Sequence, residues 1–275
     1  MLEILLDHTL RTLPVYACAA MGGILAERSG VVHLGLEGIV LSSALAASMA
    51  ALATGSFVLA GVAALGTGLL LGTLHGYAST RGRVDDVVSG LALNLAAFAA
   101  TRAVLRGTYG SSSNSPSFEG GPPALVLWPA LVLLVTAATW WILQRTRFGI
   151  ALRAAGSAPE AARSAGLDVA KMRIVAVALG SGLTGLAGLA LAYDQHQFQA
   201  GMSGGRGFVA LVIGIVSRRR PTIALGSSVA FALLEALDAA LQGNVPVPSE
   251  LLSALPYLAT LVALAVAGRR RALPA

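Results

Sequence analysis

The stretch RTRFGIALRAAGSAPEAARSAGLDVAK, residues 145–171, lies between two long apolar runs, 124–144 and 172–193. It is polar, basic and rich in helix formers. Apolar runs of about 20 residues are long enough to cross a bilayer, so this insert reads as a loop on one membrane surface. Ser157-Ala158-Pro159-Glu160 fits a capping box, with Ser157 at the N-cap and Glu160 at the third helical position. Pro159 falls in the first turn, where its missing N–H costs nothing. Ala161, Ala162 and Ala165 favour the helix, and Gly166 suits the left-handed residue that closes it. The pattern predicts a helix of about two turns, roughly 12 Å long. So short a helix is marginal alone in water and needs a surface to dock on. The simpler alternative is an ordinary connector, which has no need of a capped, stopped helix.

Composition sets the class. The chain has 275 residues, 56% hydrophobic and 12% charged, with mean hydropathy +0.76. A soluble domain carries about 25% charge. The apolar runs are continuous rather than alternating, which excludes a transmembrane barrel. The expected fold is therefore all-α: a polytopic transmembrane helical bundle in contact with membrane lipid, one domain over 1–275. The net charge of +6 comes almost wholly from arginine, and Lys171 is the only lysine. The bases cluster at membrane edges, so the positive-inside rule accounts for them and no nucleic-acid partner is expected. Cys18 is the single cysteine, so no internal disulfide is possible. The opening MLEILLDHTLRT has acids before its first base and does not read as a cleavable signal peptide.

Nine apolar segments are expected, near 12–26, 31–53, 56–79, 85–106, 124–144, 172–193, 206–217, 222–241 and 251–268. The seventh is too short to span comfortably and reads as a half-helix. Arginines 81, 83, 145, 147, 153, 163, 173, 218–220 and 269–271 mark one side, with Lys171. The loops 107–123, 194–205 and 242–250 hold no Lys or Arg and carry Glu119, Asp194 and Glu250. Bases face the cytoplasm, so 145–171 and the C-terminus lie inside and the N-terminus outside. Arg102 and Arg106, near the outer end of the fourth segment, run against this rule. The Gly-, Ser- and Pro-rich run 107–123 predicts a flexible outer loop. Trp128 and the Trp140–Trp141 pair read as interfacial aromatics. Gly68, Gly72 and Gly76, and Gly180, Gly182, Gly185 and Gly188, read as close-packing devices between helices.

A few polar residues sit where they are expensive. The second segment opens AERSGVVHLGLEGIVLSS, residues 26–43, with His33 and Glu37 spaced for one helical face. Gly30, Gly35 and Gly38 loosen that helix, so the segment reads as broken. Glycine-interrupted spans with polar groups are how midplane sites are built. His33, Glu37 and Asn94 are thus candidates to line a solute path; the alternative is buried groups satisfied by neighbouring helices. Glu235 and Asp238 are placed to neutralise Arg102 across the bundle. No GxxxxGK[ST] or HExxH occurs, so no nucleotide, cofactor or metal is expected on this chain, and no enzymatic activity.

Four stretches together resemble one family: ERSGVVHLGLEGI (27–39), DDVVSGLALNLAA (85–97), RFGIALRAAGSAPEAARSAGLDV (147–169) and GRGFVALVIGIVSRRRPTIALGSSVAFALLEAL (205–237). They look like a permease subunit of a bacterial ABC importer. The branch is the sugar and nucleoside permeases served by basic-membrane-lipoprotein-type binding proteins, related to ribose and branched-chain amino-acid permeases. The resemblance implies that 147–169 holds a cytoplasmic coupling helix docked on an ABC ATPase, through Arg153, Gly156, Ser157, Glu160, Arg163 and Gly166. It implies a second, homologous permease chain, an extracytoplasmic binding lipoprotein, a multi-pass location in the bacterial cytoplasmic membrane, and a nucleoside or sugar as solute. The family usually has Asn where this chain has His33. The rival reading is an ion-coupled secondary transporter using Glu37 and His33.

Overall fold

The computed structural model describes residues 2–120, 126–242 and 254–272. Among them there are helices and no strand, only an isolated bridge between Asn114 and Gln199. In chain order the helices are α1 (Leu2–Arg28), α2 (Leu36–Thr54), α3 (Phe57–Thr80), α4 (Asp86–Tyr109), α5 (Leu127–Arg145), α6 (Arg147–Ser157), α7 (Pro159–Ser164), α8 (Val169–Gln195), α9 (Arg206–Val216), α10 (Pro221–Leu241) and α11 (Leu255–Ala272). Every apolar segment of the sequence maps onto one of them, with 124–125 of the fifth and the part of the last before 254 outside the described residues. Seven described helices are long and apolar enough to cross a membrane: α1 to α5, α8 and α10.

The caps follow local chemistry. Asp85 accepts from the Val87 and Val88 amides at the start of α4. Asp168 accepts from Lys171 at the start of α8, and Thr146 from Gly149 at the start of α6. Each satisfies a donor that the helix itself leaves open. The capping box expected at Ser157 does not form. Ser157 is the last residue of α6 and donates back to the Arg153 carbonyl, while Ala158 stands at the N-cap of α7. The reason is α6 itself: once Thr146 starts a helix at Arg147, Ser157 is inside its last turn. Pro159 at the start of α7 and the left-handed Gly166 just beyond its end are as the sequence predicts.

Helix α8 is the centre. Gly180 meets the Gly22 backbone of α1, Gly185 meets Ala64 of α3, and Gly188 meets Val40 and Ala44 of α2. From the facing side, Gly68 and Gly72 of α3 lie on Ser181. A methyl at any of these positions would overlap backbone or a buried side chain. The small residues let main chains approach, and dispersion contacts then replace lipid contacts.

Two spans are discontinuous. After α1, residues 29–35 leave the helical path at Gly30, which takes φ +90°, and helix resumes only at Leu36. His33 therefore precedes the helix, and His33 and Glu37 do not share a helical face as their spacing predicts. After α8, residues 196–205 run back irregularly before α9 begins. α9 has 11 residues, about 16 Å of helix, as the short seventh segment predicts.

The basic ends gather on one side. Arg28 donates to the Arg219 carbonyl, Arg173 to the Ser29 carbonyl, Arg219 pairs with Glu27 at 3.1 Å, and Arg81 lies 3.6 Å from Asp168. At the opposite end, Phe57, Trp128, Phe118 and Tyr193 make an edge-to-face aromatic cluster. Trp128 is buried there rather than interfacial, unlike Trp140 and Trp141, which are exposed. The outer loop is also less free than its composition predicts. Ser115 and Phe118 amides donate to the Phe198 and His196 carbonyls, and Ala200 donates to Ser113. Backbone pairing with 196–200 and burial of Phe118 hold 113–118; residues 121–125 lie outside the described residues.

Replacing Gly180 by Val is expected to abolish the monodisperse folded protein, read by size exclusion in detergent. Gly66→Ala, with nothing within 4 Å of an added methyl, is expected to raise the melting temperature or leave it unchanged, since Ala gains up to about 1 kcal/mol over Gly in a helix.

Candidate functional site

The two breaks meet. Glu37, in the first turn of α2, accepts hydrogen bonds from the Gly205 amide (2.7 Å) and the Gly207 amide (2.8 Å) at the start of α9. Its residue is 1% exposed. The carboxylate thus sits on the positive ends of two helices at once, where unsatisfied N–H groups and both macrodipoles favour an anion. Gly207 makes this possible, because a side chain there would overlap the Glu37 backbone. From this junction α9 descends along α1, with Gly214 near Ile24 and Glu27.

Asn94 of α4 closes the other side of the first break. Its carbonyl oxygen accepts from the Gly38 amide and its amide donates to the Leu34 carbonyl. It therefore substitutes for helix hydrogen bonds that the break leaves open. His33 bonds Ser181 through Nε2 at 2.8 Å and stacks on His75, with ring centroids 4.8 Å apart. His75 in turn bonds Ser89 through Nδ1. Glu37, Asn94 and His33 are all buried, and their hydrogen bonds go to this chain's own groups. The only sequence signal for His75 is a lone imidazole in an apolar run.

A second polar cluster lies at similar depth. Arg206 pairs with Glu235 of α10, and Tyr16 of α1 donates to Glu235 at 2.6 Å. Arg206 also donates to the Met202 carbonyl. The expected neutralisation of Arg102 by Glu235 does not occur: Arg102 is on an exposed face of α4, and Arg206 takes the carboxylate. Sequence position hid this, because Arg206 opens the seventh apolar segment and reads as a boundary charge. The run Gly201-Met202-Ser203-Gly204-Gly205 spells the G-x-S-x-G of a hydrolase elbow. Here it lies on an irregular turn with no strand before it, and Ser203 is fully buried.

On the basic side, Ala155, Ala162 and Val169 form a small core that ties α6, α7 and α8 together. Ser157, Glu160, Arg163 and Gly166 are exposed around it, and Arg153 donates to Gln144. Gly156 faces inward: its added methyl would strike the Arg28 carbonyl, so it seats α6 on the first break.

A half-helix, α9, meeting the irregular entry to α2 inside a glycine-packed bundle is the build of a polytopic helical transport protein. The family model described as branched-chain amino acid transport system / permease component matches residues 5–265, and the chain belongs to that family. It is a transport subunit rather than an enzyme, the permease of an ABC importer, and the family implies an ATPase and a substrate-binding partner. The chain is 30% identical to a guanosine ABC transporter permease of Bacillus subtilis, over 96% of this chain and 91% of that one. It is 31% identical to a nucleoside ABC transporter permease of Lactococcus lactis subsp. cremoris, over 90% and 86%. A ribose import permease of Escherichia coli K12 is 29% identical over 67% of this chain and 60% of its own length. A solved ABC transporter described as metal-chelate type, in an inward-facing conformation, superposes with TM-score 0.55 at 19% identity, covering 94% of this chain and 85% of that one. At that identity the likeness speaks to fold alone.

Glu37→Ala strands two amide donors, each a loss of about 1–3 kcal/mol when buried. The expected order of melting temperature in detergent is wild type, then Glu37→Gln, which keeps one acceptor, then Glu37→Ala. An alanine variant that melts with the wild type would remove the capping role.

Proposed function

We propose that this chain is one of two homologous permease chains, the second non-identical, of a nucleoside importer in the bacterial cytoplasmic membrane. An extracytoplasmic lipoprotein delivers the solute, and α6–α7 dock on the ATPase. The nucleoside assignment is supported by the guanosine and nucleoside permeases of Bacillus and Lactococcus, which align over nearly their whole lengths. A free sugar is the alternative, favoured by the likeness to the ribose permease.

The observation that carries the coupling assignment is the small core under α7. Ala155, Ala162 and Val169 join the exposed helix to the start of α8, and α8 is the helix against which α1, α2 and α3 pack through glycine. A displacement of α7 by a closing ATPase dimer is thereby transmitted along a rigid element to both breaks. Alternation between outward- and inward-facing states follows as a rigid-body movement, driven by ATPase closure favouring one state. The contacts offered are Glu160, Arg163, Ser157 and Gly166, which are exposed, with Arg153 beside them. Gly156 acts from the inner side as the seat of α6. In this reading Glu37, Asn94 and His33 border the path by holding the broken backbone open rather than by gripping solute.

Glu160→Lys combined with Arg163→Glu is expected to abolish binding-protein-stimulated ATPase activity and uptake in a reconstituted complex. The isolated chain should melt as wild type does, because both side chains are exposed. Unchanged stimulation would refute the docking surface.

A further inference from the structure

A cavity of about 200 Å³ opens between α1, α9, α10 and α11, lined by Tyr16, Arg206, Val209, Glu235, Asp238 and Tyr257 among others. Its depth follows from helix geometry. Tyr16 stands twelve residues before Arg28 at the basic end of α1, about 18 Å along the helix. Glu235 stands fourteen residues after Pro221 at the basic end of α10, about 21 Å along it. A hydrocarbon core is about 30 Å thick, so Tyr16 and Glu235 lie within it, past its middle, and Asp238, about 26 Å along α10, lies nearer the end away from the arginines.

Polar groups at that depth are costly unless matched, and those around this cavity are only partly matched internally. Arg206 and Glu235 neutralise one another, and Tyr16 adds a donor to the same carboxylate. Asp238, one turn further along α10, has no cationic partner among the described residues; one oxygen accepts from Gln242. Tyr257 anchors its hydroxyl on the Gly204 carbonyl, and its ring lies against Gly205, which keeps it in place at the cavity wall. A lining with one guanidinium against two carboxylates carries an excess negative charge.

We infer that this cavity is a solute subsite on the translocation path, built for a neutral hydroxylated ring such as the ribose of a nucleoside. Carboxylates accept from vicinal hydroxyls, Arg206 donates to a ring or hydroxyl oxygen, and the flat face of Tyr257 covers the apolar side of the ring. The excess negative charge repels phosphorylated analogues and the carboxylate of amino acids. The volume admits one ring system, so the remainder of a nucleoside extends beyond it. The inference rests on the nucleoside reading for its preferred ligand, but its chemistry requires only a neutral polyol. It also assigns the solute contacts to α9, α10 and α11 rather than to His33, Glu37 and Asn94, the residues singled out by the sequence.

The test uses the full complex of both permease chains, ATPase and binding protein in proteoliposomes, with labelled guanosine, ribose and leucine as probes. Asp238→Asn is expected to slow guanosine uptake about tenfold, the scale of one hydrogen bond to a charged group, and Tyr257→Ala to slow it by removing the ring face. Tyr257→Phe, which loses the hydroxyl anchor but keeps the ring against Gly205, should lose less than Tyr257→Ala, and melting of Asp238→Asn should match the wild type, which separates a binding loss from misfolding. Wild-type guanosine uptake with both variants unimpaired overturns the subsite and leaves the nucleoside reading standing. Ribose uptake without guanosine uptake, slowed by both variants, overturns the nucleoside reading and supports the subsite. Leucine as the imported solute overturns both.

Discussion

One carboxylate holds the two broken spans together. In hydrocarbon a helix end cannot leave its amide donors to water, because no water is there. α2 and α9 both begin inside the bundle, so each exposes open N–H groups in the least forgiving place. Glu37 answers part of that demand by accepting from Gly205 and Gly207 while lying in the first turn of α2 itself. Asn94 answers another part by bridging the Leu34 carbonyl and the Gly38 amide. With these partners the breaks are ordered structures rather than defects. A bundle with ordered interruptions has places where irregular backbone lines a cavity, which is where solute transport folds put their sites.

The rest of the bundle keeps the breaks in register with α6 and α7 on the basic side. α8 lies against α1, α2 and α3 through positions that tolerate nothing larger than glycine. Such interfaces resist sliding, since any shift brings main chains into overlap. The same helix begins at the core shared with α6 and α7. Gly156 adds a second link, from α6 straight to the turn after α1. The exposed side of α7 is thus joined to the first break by two packing routes, one through α8 and one through Gly156. The half-buried pair of Arg206 and Glu235 gives the second break its own tie to α1 and α10, through Tyr16. Buried ion pairs contribute little net stability but lose much when one partner is removed, which makes them good devices for fixing an arrangement.

Much of this was legible in the residues. Continuous apolar runs gave the helical membrane class, and the shortness of 206–217 gave the half-helix. Repeated glycines in α3 and α8 gave the packing faces, and Pro159 and Gly166 gave the limits of α7. The failures are instructive in the same terms. Ser157 has the right spacing for a cap, but a preceding helix started by Thr146 had already claimed it. The 107–123 run has a loop's composition, yet 113–118 borrows backbone partners from 196–200, eighty residues away. Glu235 was offered the wrong arginine, because opposite charge alone does not choose between Arg102 and Arg206.

The sequence by itself determined that the chain enters a membrane as helices, which segments do so, and which polar loop is left outside with a short stopped helix. These are consequences of transfer free energy and local backbone preference, both properties of neighbouring residues. Only the tertiary structure decided what the polar groups inside the membrane bond to: Glu37 to α9, Asn94 to both edges of a break, His33 to Ser181 and His75, Arg206 to Glu235. A buried donor or acceptor must find a partner, but spacing along the chain does not say which of several distant helices will bring it within 3 Å.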